Sequence, residues 1–239
     1  MSLHLERDLD ELKRDVLHLG SLVETALGNA SFVLRDRRVK LAQAVYAGES
    51  VINEKEVQIE ESCLKILALH QPVAIDLRFI VVVLKVNNDL ERIGDLAENL
   101  TARAVYLAER EPMPEPMAII NGMFVTIRSM LKDSLDSLVK LDVDLARKVI
   151  EQDDGVDQIN RQMYDDFRQM MAPRVAAACI PVGVREVPLQ VAVAVVAVAV
   201  AVVGMSLFLD KQPPIAQHQL VLLIHLIQLR VIILMLRLI

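Results

Sequence analysis

Residues 71–100 read QPVAIDLRFIVVVLKVNNDLERIGDLAENL. Within them Phe79, Val83, Val86, Leu90, Ile93, Ala97 and Leu100 follow one another at alternating steps of three and four, which lines one face of an α-helix. Pro72 closes the element before it, and Pro112, Pro114 and Pro116 close this one. The spacing therefore predicts a helix from about Ala74 to Glu109.

The same periodicity extends toward the N-terminus. Leu5, Leu9, Leu12, Val16, Leu19, Val23, Ala26, Ala30 and Val33 form one stripe, and Leu41, Val45, Ile52, Ile59, Cys63 and Ile66 form another. Asp36, Arg37 and Arg38 interrupt the pattern between them. Three consecutive helices with one apolar face each and short connections bury those faces against one another, as an antiparallel three-helix bundle. Beyond the prolines, Ile120, Met123, Ile127, Met130 and Leu138 suggest a fourth helix, and Leu145, Val149, Val156, Met163, Phe167 and Met170 a fifth.

An internal repeat is visible at an offset of 104. Val39, Leu41, Ala42 and Val45 recur as Val143, Leu145, Ala146 and Val149; without a gap, Glu49 falls on Asp153, Ile52 on Val156 and Cys63 on Phe167. Any two amphipathic helices align to some degree, but the length of this match favours a true repeat. The organisation expected is all-α: a first three-helix bundle over 1–110, a proline-rich linker over 111–116, and a second bundle over 117–239.

Aromatic residues make up 3% of the chain and Gly and Pro are few, which suits long helices. The net charge is −6; residues 176–239 hold four basic and two acidic side chains, leaving 22 basic and 30 acidic before them, a net of −8. An acidic body lacks the clustered cations that neutralise a phosphate backbone, so nucleic acid is not an expected partner. Two cysteines and a charged N-terminus without the apolar core of a signal peptide point to a reducing cytoplasm.

The tail from about residue 176 breaks the pattern. Val187 to Val203 is almost entirely Val and Ala, and at the repeat offset Asp89, Glu91, Arg92 and Asp95 fall on Val193, Val195, Val196 and Ala199. Read through to Leu209 the segment is long enough to be a membrane-span candidate, and 215–239 is nearly as apolar. Gln217, His218, Gln219, His225, Gln228, Arg230 and Arg237 interrupt that last stretch, at about 2.5–3.5 kcal/mol for each intramembrane Arg. An atypical sixth helix, an altered tail and a membrane anchor are the three readings, and alternating Val and Ala also suits a strand.

Chemistry concentrates in the third helix. Glu91 and Asp95 stand four apart and share a face, with Glu98 and Asn99 one turn on and Asp89 close by in sequence. Carboxylates held this close are either a solvated polar face, quieted by Arg92, or ligands for a hard cation. Asp76 and Arg78, at the start of the helix, either cap and solvate the turn or form a recognition motif. No Gly-rich phosphate loop, Ser/His/Asp set or Cys/His ligand spacing is present, and Cys63 lies on an apolar stripe.

The segment Gln71-Pro72-Val73-Ala74-Ile75-Asp76-Leu77-Arg78, followed by Asn88-Asp89-Leu90-Glu91-Arg92-Ile93-Gly94-Asp95, resembles the first repeat of the PhoU family, and the likeness extends over roughly the first 175 residues. The resemblance implies two tandem antiparallel three-helix bundles and no enzymatic activity. It implies a Glu/Asp-x-x-x-Asp motif at Glu91 and Asp95 able to hold Fe, Zn, Mg or Mn. It also implies negative regulation of phosphate uptake and of the phosphate starvation response, through contact with the ATPase of the phosphate ABC transporter and with a sensor histidine kinase. The protein would then be a cytoplasmic homodimer that reaches the membrane through its partners. A metal-binding helical protein and a membrane-anchored relative are the alternatives. The tail departs from the pattern, because the second repeat has no carboxylate motif on its third helix.

Overall fold

The computed structural model describes the backbone of residues 3–110 and 114–171, and the side chains of 3–110 and 118–162. Its elements are α1 (Leu3–Asp36), one 3₁₀ turn (Val39–Leu41), α2 (Ala42–His70), α3 (Ala74–Ala108), α4 (Pro114–Lys140) and α5 (Val143–Met171). The fold is all-α, and among the described residues no helix is long and apolar enough to cross a membrane. The expected sixth helix and the anchor reading of 187–239 lie outside the described residues.

The stripes predicted from spacing are the ones that become core. Leu12, Val16, Leu19 and Val23 of α1, Ile52, Ile59 and Cys63 of α2, and Phe79, Val83, Leu90, Ile93, Ala97 and Leu100 of α3 are all buried in one continuous cluster. Each large aliphatic side chain so buried contributes about 1.5–3 kcal/mol. Two polar ties brace α1 against α2 at separate levels: Lys55 Nζ lies 2.6 Å from Asp15 Oδ1, and His70 Nε2 lies 2.9 Å from Asp8 Oδ2. Hydrogen bonds from His70 and from Arg7 hold the Asp8 carboxyl below its ordinary range.

The α2–α3 connection is short and left-handed at two non-glycine residues, Gln71 (φ 47) and Ala74 (φ 50). The Gln71 N–H donates to the Leu67 carbonyl at 3.2 Å and closes α2, after which Pro72 cannot continue it. Asp76 stands in the first turn of α3, where the helix dipole favours an acid.

The repeat appears in the backbone itself. Arg37 after α1 and Leu141 after α4 are 104 apart, and both have φ 55. The matching helix ends, Asp36 and Lys140, are 104 apart as well. Each left-handed residue ends its helix. At the second junction Asp142 N–H donates to Ser137 O at 2.9 Å, and the Asp142 side chain then caps α5 by accepting the Leu145 N–H at 2.9 Å. At the first, Arg37 Nη1 donates to the Ala108 carbonyl at 3.3 Å, satisfying the end of α3. This explains why Asp36, Arg37 and Arg38 interrupt the apolar pattern: they form a helix stop.

The second half begins earlier than the proline spacing suggested. α4 starts at Pro114, inside the stretch 111–116 read as a linker, because a residue without an N–H suits the first turn of a helix, whose N–H groups have no intrahelical acceptor. α4 packs on α5 and also on α1, so α1 is covered from both halves. At that contact Arg128 Nη2 donates to Glu24 Oε1 at 3.0 Å and Arg35 Nη1 to Asn121 Oδ1 at 3.3 Å. At Gly20 the Leu135 side chain packs directly on the α1 backbone, leaving no space for a Cβ.

A left-handed residue other than glycine is strained, and Leu141 is partly exposed, so little packing is lost on truncation. Leu141→Gly is expected to stabilise the chain by about 0.5–1 kcal/mol, seen as a higher urea midpoint. A lowered midpoint would show that the side chain, not the backbone, governs this turn.

Candidate functional site: an acidic seam between α2 and α3

α2 and α3 run antiparallel, and the seam between them collects acceptors. From α3 come Asn87, Glu91 and Asp95, spaced four apart; from α2 come Glu49, Asn53 and Glu56. Gly94 sets the closeness of the two helices, since a Cβ there would stand 3.1 Å from Ile52 Cδ1 and 3.2 Å from Ile52 Cγ2. The glycine in Arg92-Ile93-Gly94-Asp95 thus lets α2 approach where the carboxylates are.

The electrostatics follow from that approach. Burial, and then the carboxylates of Asp95, Glu56 and Glu49, push the Glu91 carboxyl above its ordinary range, with Arg92 opposing them. Burial and Glu49 raise Asp95; burial and Glu60 raise Glu56. Each group resists ionisation first because it is partly dehydrated and then because like charges stand near it.

The hydrogen bonds use up the donors and leave acceptors over. Asn87, which is 1% exposed, donates through Nδ2 to the Glu56 carbonyl at 2.8 Å and to Glu56 Oε1 at 3.2 Å. Asn53 donates through Nδ2 to Glu49 Oε1. With both amide nitrogens committed to glutamates, Asn53 Oδ1 and Asn87 Oδ1 are left buried with no hydrogen-bond donor. Buried oxygens without donors cost about 1–3 kcal/mol each, and a hard cation is one group able to satisfy them together with the carboxylates. No three His, Cys, Asp or Glu residues among the described ones meet at metal-ligand spacing. The donor set therefore suits a cation chemically, and the carboxylates themselves do not form a closed cage.

The structure separates the residues that the sequence grouped together. Glu91 and Asp95 belong to the seam. Asp89 does not: its charged neighbours are Arg92 and Lys85, and burial pushes its carboxyl up to about 6. Glu98 is half-buried, and Asn99 is exposed, donating to the Asp95 backbone carbonyl at 3.0 Å. Asp76 and Arg78 lie at the start of α3, about four turns from Glu91. Sequence reasoning missed Glu49, Asn53 and Glu56. Their spacing of four and then three along α2 was the available signal, since it places them on one face.

The sequence pattern described as the PhoU domain matches residues 16–104 and 120–188. The chain belongs to the PhoU family. It is 42% identical over 159 residues to the phosphate-specific transport system accessory protein PhoU homolog of Aquifex aeolicus, covering 66% of this chain and 72% of that protein. It is 31% identical over 189 residues to PhoU homolog 1 of Thermotoga maritima, covering 79% and 80%. The crystal structure of PhoU from Pseudomonas aeruginosa superimposes with a TM-score of 0.79 at 29% identity, over 84% of this chain and 98% of that one. Glu91, Gly94 and Asp95 all fall inside the first matched PhoU segment.

The raised carboxyl of Asp89 has a definite consequence for stability. A group whose folded pKa exceeds its unfolded value of about 4 keeps its proton longer in the folded chain, so stability falls as pH rises from there. For Asp89 the fall runs up to about pH 6 and persists above it. Asp89→Asn is expected to flatten this part of the profile and raise stability at pH 7, measured by urea unfolding across pH 4–7. An unchanged slope would place the pH dependence in other groups.

Proposed function

We propose that this PhoU-family chain is a non-enzymatic accessory protein of phosphate-specific transport. In this reading it holds down phosphate uptake and the starvation response when phosphate is plentiful. It would act as a cytoplasmic adapter, a homodimer that contacts the ATPase of the phosphate ABC transporter and the sensor histidine kinase and meets the membrane through them. The observation that carries this reading is the 42% identity to a phosphate-specific transport system accessory protein over 159 residues. The acidic body supports protein or cation contacts over nucleic acid. In cells lacking their own PhoU, expression of this chain is expected to silence alkaline phosphatase in high phosphate. Continued activity from a soluble, helical chain would reject the regulatory role.

A second reading rests on the orphaned oxygens of Asn53 and Asn87. Glu91 and Asp95, with Glu49 and Glu56 across the seam, would hold Mg, Mn, Fe or Zn, neutralising carboxylates that now repel one another. Arg92 would balance the site from outside, and Asp76 and Arg78 would serve partner recognition at the other end of α3. The second repeat keeps Asp153 and Asp157 at the positions of Glu49 and Asn53, but has Val195 and Ala199 where Glu91 and Asp95 stand, so binding belongs to the first repeat. Equilibrium dialysis with Mn²⁺ is expected to show uptake that the Glu91→Ala, Asp95→Ala double variant loses. Affinity should fall as the pH drops and the raised carboxyls take up protons. Equal uptake by both proteins would remove the site.

A further inference from the structure

The two partners in the ion pair between α1 and α4, Glu24 and Arg128, are 104 apart, so they occupy the same position of the repeat. Gly20 meets Leu135 and Arg35 meets Asn121, whose equivalents in the first copy are positions 31 and 17, so the two copies run antiparallel about an approximate two-fold axis near Glu24. The residues around it break the symmetry in a consistent way. Gly20 corresponds to Phe124, and Leu135 to Ser31. In the observed pairing Leu135 fills the notch at Gly20, with no room for a Cβ, and Arg128 meets Glu24.

The alternatives can be written down from the same operation. α1 against a second copy's α1 would set Glu24 against Glu24 and Ser31 over the Gly20 notch, leaving it unfilled. α4 against a second copy's α4 would set Arg128 against Arg128 and Phe124 against Leu135, two bulky side chains where one fits. Only α1 with α4 joins opposite charges and a large side chain to a glycine. We propose that the α1–α4 face is a recognition surface between repeats, in which Glu24–Arg128 and Gly20–Leu135 select the second repeat of the same chain over a second copy's first repeat. Related self-complementary helices with like charges on the axis would otherwise associate between chains.

The test uses cross-linking within the full chain. Arg35 and Asn121 touch across this face, so a cysteine at each, in a Cys179→Ser background where the remaining Cys63 is buried, can be joined by a short bis-maleimide. One protein carries Glu24→Arg with Arg35→Cys, and the other carries Arg128→Glu with Asn121→Cys. Each has like charges in its own α1–α4 contact, and opposite charges are restored only by exchange between the two. Co-refolded, they are expected to give about fivefold more cross-linked pairs than the same cysteine proteins with native charges, a factor typical of reversing exposed ion pairs. Equal yields would overturn the proposal. Two single-chain controls guard against a folding defect. Glu24→Arg with Arg128→Glu in one chain should restore the native melting temperature, and Leu135→Ala should rescue Gly20→Ala. Failure of both rescues would equally overturn it.

Discussion

Helix α1 has to be covered on two sides at once. One side meets α2 and α3, and the other meets α4 through Gly20, Glu24 and Arg35. The two halves are therefore joined through one helix: α1 supplies the surface on which α4 is placed, and α5 packs on α4. The left-handed stops at Arg37 and Leu141 end the first helix of each copy at the same position of the repeat, so the two repeats meet in register. What a helix stop does locally is thereby converted into the placement of one bundle on another.

The acidic seam depends on this frame. α2 and α3 can carry facing carboxylates only because buried apolar residues, Ile52, Ile59, Leu90 and Ile93 among them, hold the helices together against the repulsion. Gly94 brings the backbones closer where the charges stand, and burial together with the neighbouring carboxylates raises the cost of ionising Glu91 and Asp95. Apolar packing and carboxylate repulsion thus oppose each other locally.

Much of this was legible in the sequence because helical periodicity is a strong local signal. The stripes of α1 and α3 map onto the buried residues almost one for one, and Pro72 marks the end of α2. Glu91 and Asp95 were legible from a single helix, four residues apart. Glu49, Asn53 and Glu56 were not, since pairing them with α3 requires the antiparallel register of two helices, which no local pattern contains. Asp89 was grouped with the motif by its proximity in sequence, yet a helix turns about 100° per residue, and two positions from Glu91 its side chain faces Lys85 and Arg92 instead. Pro114 read as a linker residue because proline breaks helices far more often than it starts them. The close approach at Gly20 depends on a residue 115 positions away and could not be read from its surroundings.

The central claim is that this helical frame serves phosphate transport as a protein that binds other proteins. Its most direct test is association of the purified full-length chain with the ATPase of the phosphate ABC transporter and with the phosphate-sensing kinase, by sedimentation velocity. Saturable complex formation with at least one of them is the predicted result; a chain that is folded and helical yet binds neither would contradict the account.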